Sequence, residues 1–246
     1  MIRLPPVSGR SQRPSGRNGH VTSVTPSRAV DLLAAERVWW QTFPRQILAG
    51  VDEAGRGPLA GPVVAGAVVM ASELAESCYE GPLADLTDSK QLTPARRMAF
   101  YEFLSHTSAI QIGVGWCSAT EIDDLNILCA THLAMRRAVE ALPVRADHVF
   151  VDGLPVKGLP CPSTAIVKGD SKSLLVAAAS VVAKVLRDRH MVELDARYPQ
   201  YGFASHKGYG AREHIAALFR YGPCPEHRRS FRPVQDSLQF LPGMGV

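Results

Sequence analysis

Apolar residues in this chain fall into two patterns, short dense blocks and longer runs at helical spacing, and each predicts its own kind of element. The block Gln46-Ile47-Leu48-Ala49-Gly50-Val51 is too short for a helix and predicts a strand over residues 47–52. Residues 61–70 are small or β-branched, as a buried strand requires, and residues 110–116 alternate as a third strand would. Thr93-Pro94, a capping residue followed by proline at the first helical position, opens a helix to about residue 105. A similar start at Thr25-Pro26 opens an amphipathic helix through Leu32, Leu33, Val38 and Trp39. Two or three strands in close succession predict an antiparallel meander.

The second half reads differently. Ser118-Ala119-Thr120-Glu121 has the form of a capping box, and helical sequence follows through Ala130 to Leu142, with room for a break. Val149-Phe150-Val151-Asp152 predicts a short strand closed by Gly153, and residues 164–167 another, closed by Gly169-Asp170. Residues 171–197 contain neither Gly nor Pro and are dense in Ala, Val and Leu, which predicts one long helix stopping before Pro199. A last helix over residues 211–219 precedes the basic run His227-Arg228-Arg229, and no internal repeat is visible. This order belongs to the α/β class, a mixed sheet with helices packed on it. Acidic residues close three of its strands, where open α/β sheets place their sites.

Composition narrows the picture. A chain of 246 residues, 46% hydrophobic and 20% charged, suits one packed core and is small for two. Residues 1–24 are rich in Ser, Pro, Gly and Arg with no acidic residue, and read as a disordered basic tail ahead of one folded unit over residues 25–246. A net charge of +4 permits a polyanionic partner without requiring one. Five widely spaced cysteines with no C-x-x-C pair argue for a reducing compartment and against structural zinc. No apolar run approaches the roughly 18 residues of a membrane span, and no secretory core is visible near Met1. A cytoplasmic, membrane-free monomer is expected.

The candidate chemistry centres on Asp52-Glu53, which run into Gly55-Arg56-Gly57. Adjacent carboxylates followed by a cation on bare backbone suit divalent metal ions and a phosphate. Hard cations choose carboxylate oxygens, and two of them roughly 3.5–4 Å apart neutralise a phosphodiester, activate water and stabilise the leaving oxygen. Asp52, Glu53, Asp152 and Asp170 are the acids best placed for this. Each also has an ordinary explanation: Asp52 and Glu53 as turn residues, Asp152 as half of an Asp-Gly turn, Asp170 as the N-cap of the long helix. Strand neighbours point to opposite faces, so Asp52 and Glu53 share a metal pair only if the strand ends or twists between them, which Gly50 and Gly55 permit. Lys90 and Lys172 stand beside candidate acids, either for phosphate contact or as solvated loop residues. Tyr209, next to Lys207-Gly208, either packs on a nucleotide or in the core. Lys90 and Arg228-Arg229 are expected to touch phosphates rather than bases.

The run Gly50-Val51-Asp52-Glu53-Ala54-Gly55-Arg56-Gly57-Pro58-Leu59-Ala60-Gly61-Pro62-Val63 resembles the signature of the bacterial type II ribonucleases H, the ribonuclease HII family. The resemblance continues in order through Asp88-Ser89-Lys90, Val151-Asp152-Gly153, Lys168-Gly169-Asp170-Ser171, the Ala-rich helix, His206-Lys207-Gly208-Tyr209 and His227-Arg228-Arg229-Ser230-Phe231. It implies an RNase H-like, five-stranded mixed sheet flanked by helices, with a C-terminal helical extension, over residues 25–246. It further implies cleavage of the RNA strand of RNA/DNA hybrids and nicking of duplex DNA 5′ of a single embedded ribonucleotide, as in ribonucleotide excision repair. By the same resemblance Asp52, Glu53, Asp152 and Asp170 hold two ions, Mg²⁺ or Mn²⁺. Gly55, Arg56 and Gly57 would read the ribose 2′-hydroxyl and the adjacent phosphate, and Tyr209 would pack on the following deoxyribose.

Two departures stand out. Where the family commonly has Pro-Thr after Gly-Tyr, this chain has Gly210-Ala211, which leaves the Tyr209 loop less rigid, and residues 1–24 have no family counterpart. Ribonuclease HIII resembles the same pattern but usually has Gly-Lys-Gly and a folded N-terminal substrate-binding domain. A binding module that had lost the chemistry would lack one of the four acids.

Overall fold

The computed structural model describes residues 31–239; the basic tail and the Thr25-Pro26 helix start lie outside them. Helix α1 (Ala34–Thr42) leads into strand β1 (Leu48–Ala54). Strands β2 (Val63–Val69) and β3 (Gln111–Cys117) follow, with helices α2 (Ser72–Glu80) and α3 (Pro94–His106) between them. β1 pairs antiparallel with β2, and β2 with β3, which is the expected meander. β4 (His148–Asp152) joins β1 on its other side in parallel, and β5 (Ser163–Ile166) joins β4 in parallel, so the order is β3-β2-β1-β4-β5. β1 is therefore central.

The Ser118 capping box forms and starts α4 (Ala119–Leu125). The break in the following helix falls at Asn126, whose left-handed backbone (φ 68°) ends α4 while its side chain accepts from the N–H groups of Leu128 and Cys129 to start α5 (Ile127–Glu140). The long helix is α6 (Leu174–Arg197), and the C-terminal part adds α7 (Phe203–His206), α8 (Arg212–Tyr221) and α9 (Arg232–Gln239). The sequence reading missed α2, α7 and α9. In α2 only Ala75, Cys78 and Tyr79 are buried, too narrow a stripe to stand out as a period.

Helices cover both faces of the sheet. α6 buries Leu175, Val176, Ala179 and Val182 against Leu48, Val68 and Phe150 on one face, and α5 buries Ala130, Ala134 and Ala138 against Ala49, Val51 and Val149 on the other. β1 thus alternates, with Leu48 toward α6 and Ala49 and Val51 toward α5. Gly50 lets α6 lie flush on the strand, since a Cβ there would fall 2.3 Å from the Leu175 carbonyl carbon. Among the described residues, no helix is long and apolar enough to cross a membrane.

Candidate active site

β1 does not end between its two acids. Asp52 pairs with Gly66 and Glu53 with Ala65, so the ladder runs regularly to Ala54. Alternation then separates the carboxylates. Asp52 turns toward α6, where it is 4% exposed and bonded by the Ser180 hydroxyl. Glu53 turns to the cleft wall, with its Oε1 3.3 Å from Arg56 Nη1.

Asp152 ends β4, immediately beside β1. Asp170 lies in a 3₁₀ turn, Gly169–Ser171, just before α6. It is not the helix cap: the Ser173 side chain accepts from Val176 N–H instead, which leaves the Asp170 carboxylate to Asp52 and Asp152. The Gly169 N–H donates to Asp152 Oδ1 at 2.6 Å and ties the two acids together. Carboxylate oxygens of Asp52, Asp152 and Asp170 all lie within 4.8 Å of one another.

Three carboxylates this close repel. Burial, then the charges of Glu53 and Asp152, push the Asp52 carboxyl well above the usual carboxylate range. Burial, with Asp152 and Asp88, raises Asp170 to about 6, and burial raises Glu53 despite Arg56. Burial would lower the Lys90 ammonium, but Asp52, Asp88, Asp170 and Asp152 outweigh it and hold it above its usual value. A cluster of buried acids that disfavours its own ionisation, with oxygen donors only, fits a hard divalent cation.

Beside the acids, a cleft of about 580 Å³ is lined by Glu53, the Gly55-Arg56-Gly57 loop, Lys90, Asp152, Ser180 and Tyr209 among others. The loop is held from beneath by two buried arginines. Arg228 donates to the main-chain carbonyls of Gly55, Arg56 and Gly61 at 2.5, 2.9 and 3.0 Å, and Arg187 to those of Pro62, Ala60 and Lys207 at 3.0, 3.2 and 3.0 Å. Gly55 (φ 99°) must be glycine, since a Cβ would fall 2.0 Å from Arg187 Nε. Burial lowers both guanidiniums, Arg187 to about 10 and Arg228 to about 9, so both remain cations at neutral pH. The Tyr209 ring is 46% exposed, with the Arg187 guanidinium 6.0 Å from its centroid, and it borders Gly57.

The expectation that Arg228 reaches for phosphate is therefore corrected. Its side chain is fully buried and committed to three carbonyls of the loop, while Arg229 is exposed. Ser180 and Arg187 were missed as site residues. A signal for them exists: Ser180 and Lys184 interrupt the apolar first half of the helix and Arg187 follows it, at spacings of four and three, which place the three on one face.

The family model for ribonuclease HII matches residues 49–234. A ribonuclease HII from Geobacillus kaustophilus is 51% identical over 209 residues, covering 85% of this chain and 76% of that one. Another, from Geobacillus thermodenitrificans, is 54% identical over 193 residues, 78% of this chain and 70% of that one. The crystal structure of ribonuclease H2 from Pyrococcus horikoshii superposes with a TM-score of 0.64 at 27% identity, covering 78% of this chain and 96% of that one. The matched span takes in the three clustered aspartates, the glycine-rich loop and Tyr209, and the chain belongs to the ribonuclease HII family of ribonuclease H hydrolases.

Proposed function

We propose that this protein hydrolyses the RNA strand of RNA/DNA hybrids and nicks duplex DNA on the 5′ side of a single embedded ribonucleotide, leaving 3′-hydroxyl and 5′-phosphate ends. The observation that carries this reading is the convergence of Asp52, Asp152 and Asp170 within 4.8 Å at one end of a cleft whose wall is a glycine-flanked arginine. Those aspartates would hold two divalent ions, Mg²⁺ or Mn²⁺, with Glu53 completing the set from the cleft wall. When bound, such ions supply charge neutralisation at the phosphate and a water of lowered pKa.

The chain's own residues do the rest. The Ser180 hydroxyl orients Asp52, and the Gly169 N–H orients Asp152. Gly55, Arg56 and Gly57 would meet the 2′-hydroxyl and adjacent phosphate, the 2′-hydroxyl being what separates RNA from DNA at a given position. Tyr209 would pack on the deoxyribose that follows, and Lys90 would contact a phosphate as a point charge. Every one of these side chains comes from a single folded unit, so a monomer suffices.

The test is cleavage of three duplexes: DNA with one ribonucleotide, the same sequence in all-DNA form, and a long RNA/DNA hybrid. The expected result is a nick 5′ of the lone ribonucleotide, cutting of the hybrid and an intact all-DNA duplex. Equal cutting of all-DNA excludes the reading, and cutting of hybrids alone removes the single-ribonucleotide part of it.

A further inference from the structure

Behind Tyr209 lies a chain of buried imidazoles that the chemistry above does not use. His214 and His227 are 0% and 1% exposed. His227 Nδ1 accepts from the Cys224 N–H at 3.0 Å, its Nε2 lies 3.0 Å from His214 Nε2, and His214 Nδ1 lies 2.8 Å from the Tyr209 carbonyl oxygen. The two ends fix the direction of the chain. A main-chain N–H only donates, so His227 Nδ1 is the acceptor and its proton sits on Nε2. That proton is donated to His214 Nε2, which leaves His214 with its proton on Nδ1, donated to Tyr209. Both rings are neutral in this arrangement, since an added proton would set two N–H groups against each other.

We propose that the His227–His214 relay is a positioning element for substrate selection: it anchors the Tyr209 carbonyl and thereby aims the Tyr209 ring at the ribose-to-deoxyribose junction. The proposal rests on the reading of Tyr209 given above. Anchoring matters because this loop lacks stiffness of its own. Lys207 and Gly208 have left-handed backbones (φ 52° and 81°), and Gly210 follows the tyrosine where a proline would have fixed the chain. Fixing the Tyr209 carbonyl fixes the peptide plane leading to Gly210, and with it the direction of the Tyr209 Cα–Cβ bond. The relay is itself held. His206 stacks on His214 with ring centroids 4.5 Å apart and bonds the Tyr201 carbonyl and the Gly208 N–H, while Phe203 packs edge-on against His214 at 5.4 Å.

The experiment measures kcat/KM on the single-ribonucleotide duplex and on a long hybrid, with melting temperature, for His214→Phe, His214→Asn, Tyr209→Ala and the double variant Tyr209→Ala with His214→Phe. Phenylalanine keeps the ring packing and removes both hydrogen bonds; asparagine keeps a donor near Nδ1. The expected result for His214→Phe is a loss of about tenfold on the single-ribonucleotide duplex, with the hybrid changed less than about twofold, since a small misplacement of a substrate-positioning group costs rate in this range. His214→Asn should recover most of the loss, and the double variant should be no worse than Tyr209→Ala. Equal losses on both substrates, or a full additional loss on top of Tyr209→Ala, overturn the relay while leaving the Tyr209 reading intact. A Tyr209→Ala variant whose substrate ratio is unchanged overturns the Tyr209 reading itself, and the relay with it. If His214→Phe does not fold, His227→Asn, which keeps an acceptor for Cys224 N–H and removes Nε2, carries the same expected and overturning results.

Discussion

The floor of the cleft and its outer wall are built by opposite means. The floor, Asp52, Asp152 and Asp170, sits on β1, β4 and the turn before α6, elements brought together by apolar packing of α6 on the sheet. The wall is made of Gly55–Gly57 and the Lys207–Tyr209 loop, main-chain segments pinned by the directed bonds of Arg187, Arg228 and His214. Apolar packing places side chains by volume and tolerates small errors at graded cost. A polar brace places the main chain by angle, and losing one partner orphans every group it held. The groups proposed to hold the ions thus rest on the forgiving construction, and those proposed to read the substrate on the exacting one.

The largest expected effect lies on the floor. Asp52→Asn should lower turnover by about 10⁴-fold, or about 5 kcal/mol of barrier, and excess EDTA should do the same to the parent until Mg²⁺ or Mn²⁺ is returned. Hybrid binding, followed by fluorescence anisotropy, should survive, because the amide keeps the shape and leaves the wall untouched. Full turnover by this variant would remove the floor from the chemistry.

On the wall, Arg228→Met should cost at least about 3 kcal/mol in urea unfolding, because three carbonyls, two of them in buried hydrogen bonds and one in a partly buried one, lose their donor at about 1–3 kcal/mol each. An unfolding midpoint within error of the parent's would show that the wall is not braced as described.

Glu36 is the floor's own polar exception. It reaches from α1 to accept from Ser173 Oγ at 2.6 Å and Leu175 N–H at 3.1 Å, anchoring the start of α6, while its Oε2 is buried without a hydrogen-bond partner among the described residues. Burial raises its carboxyl from the usual 4.5 to about 7. The folded protein therefore binds this proton more tightly than the unfolded chain. The resulting stability is present in full below about pH 4.5 and is lost as pH rises through about 7. Stability should fall by up to about 3 kcal/mol across that window on account of this group, and Glu36→Gln should flatten the fall. Parallel pH profiles for variant and parent would contradict it.

The smallest effect is at the mouth of the cleft. Lys90→Gln should weaken binding alike on all sequences and reduce the slope of log K against log salt by about 0.9, the release of one counterion. A change in sequence preference at constant salt would mean that Lys90 reads bases.

The floor was legible in advance for a physical reason. Its strands are short apolar runs that end in acids, and both features are local to the sequence, as at Val149-Phe150-Val151-Asp152. The regular continuation of β1 through Glu53 was not, because a strand's end depends on its partners, here Gly66 and Ala65. Nor was the cap of α6 at Ser173 in place of Asp170, since Asp170 and Ser173 both carry good capping side chains and only the backbone turn decides between them. Arg228 was misread because an arginine beside another arginine looks like a surface run; its burial comes from carbonyls at Gly55 and Arg56, more than 170 positions away.

The sequence alone determined most of the element types, the antiparallel meander and the family, and it singled out the acids of the candidate site, since each is written in local pattern or in a contiguous motif. Tertiary structure decided which acids converge, that Glu53 meets Arg56 at the cleft wall, and which distant carbonyls Arg187, Arg228 and His214 reach. Charge and hydrogen-bonding capacity are properties of a residue, whereas the partner that gives them a direction is supplied only when distant segments meet.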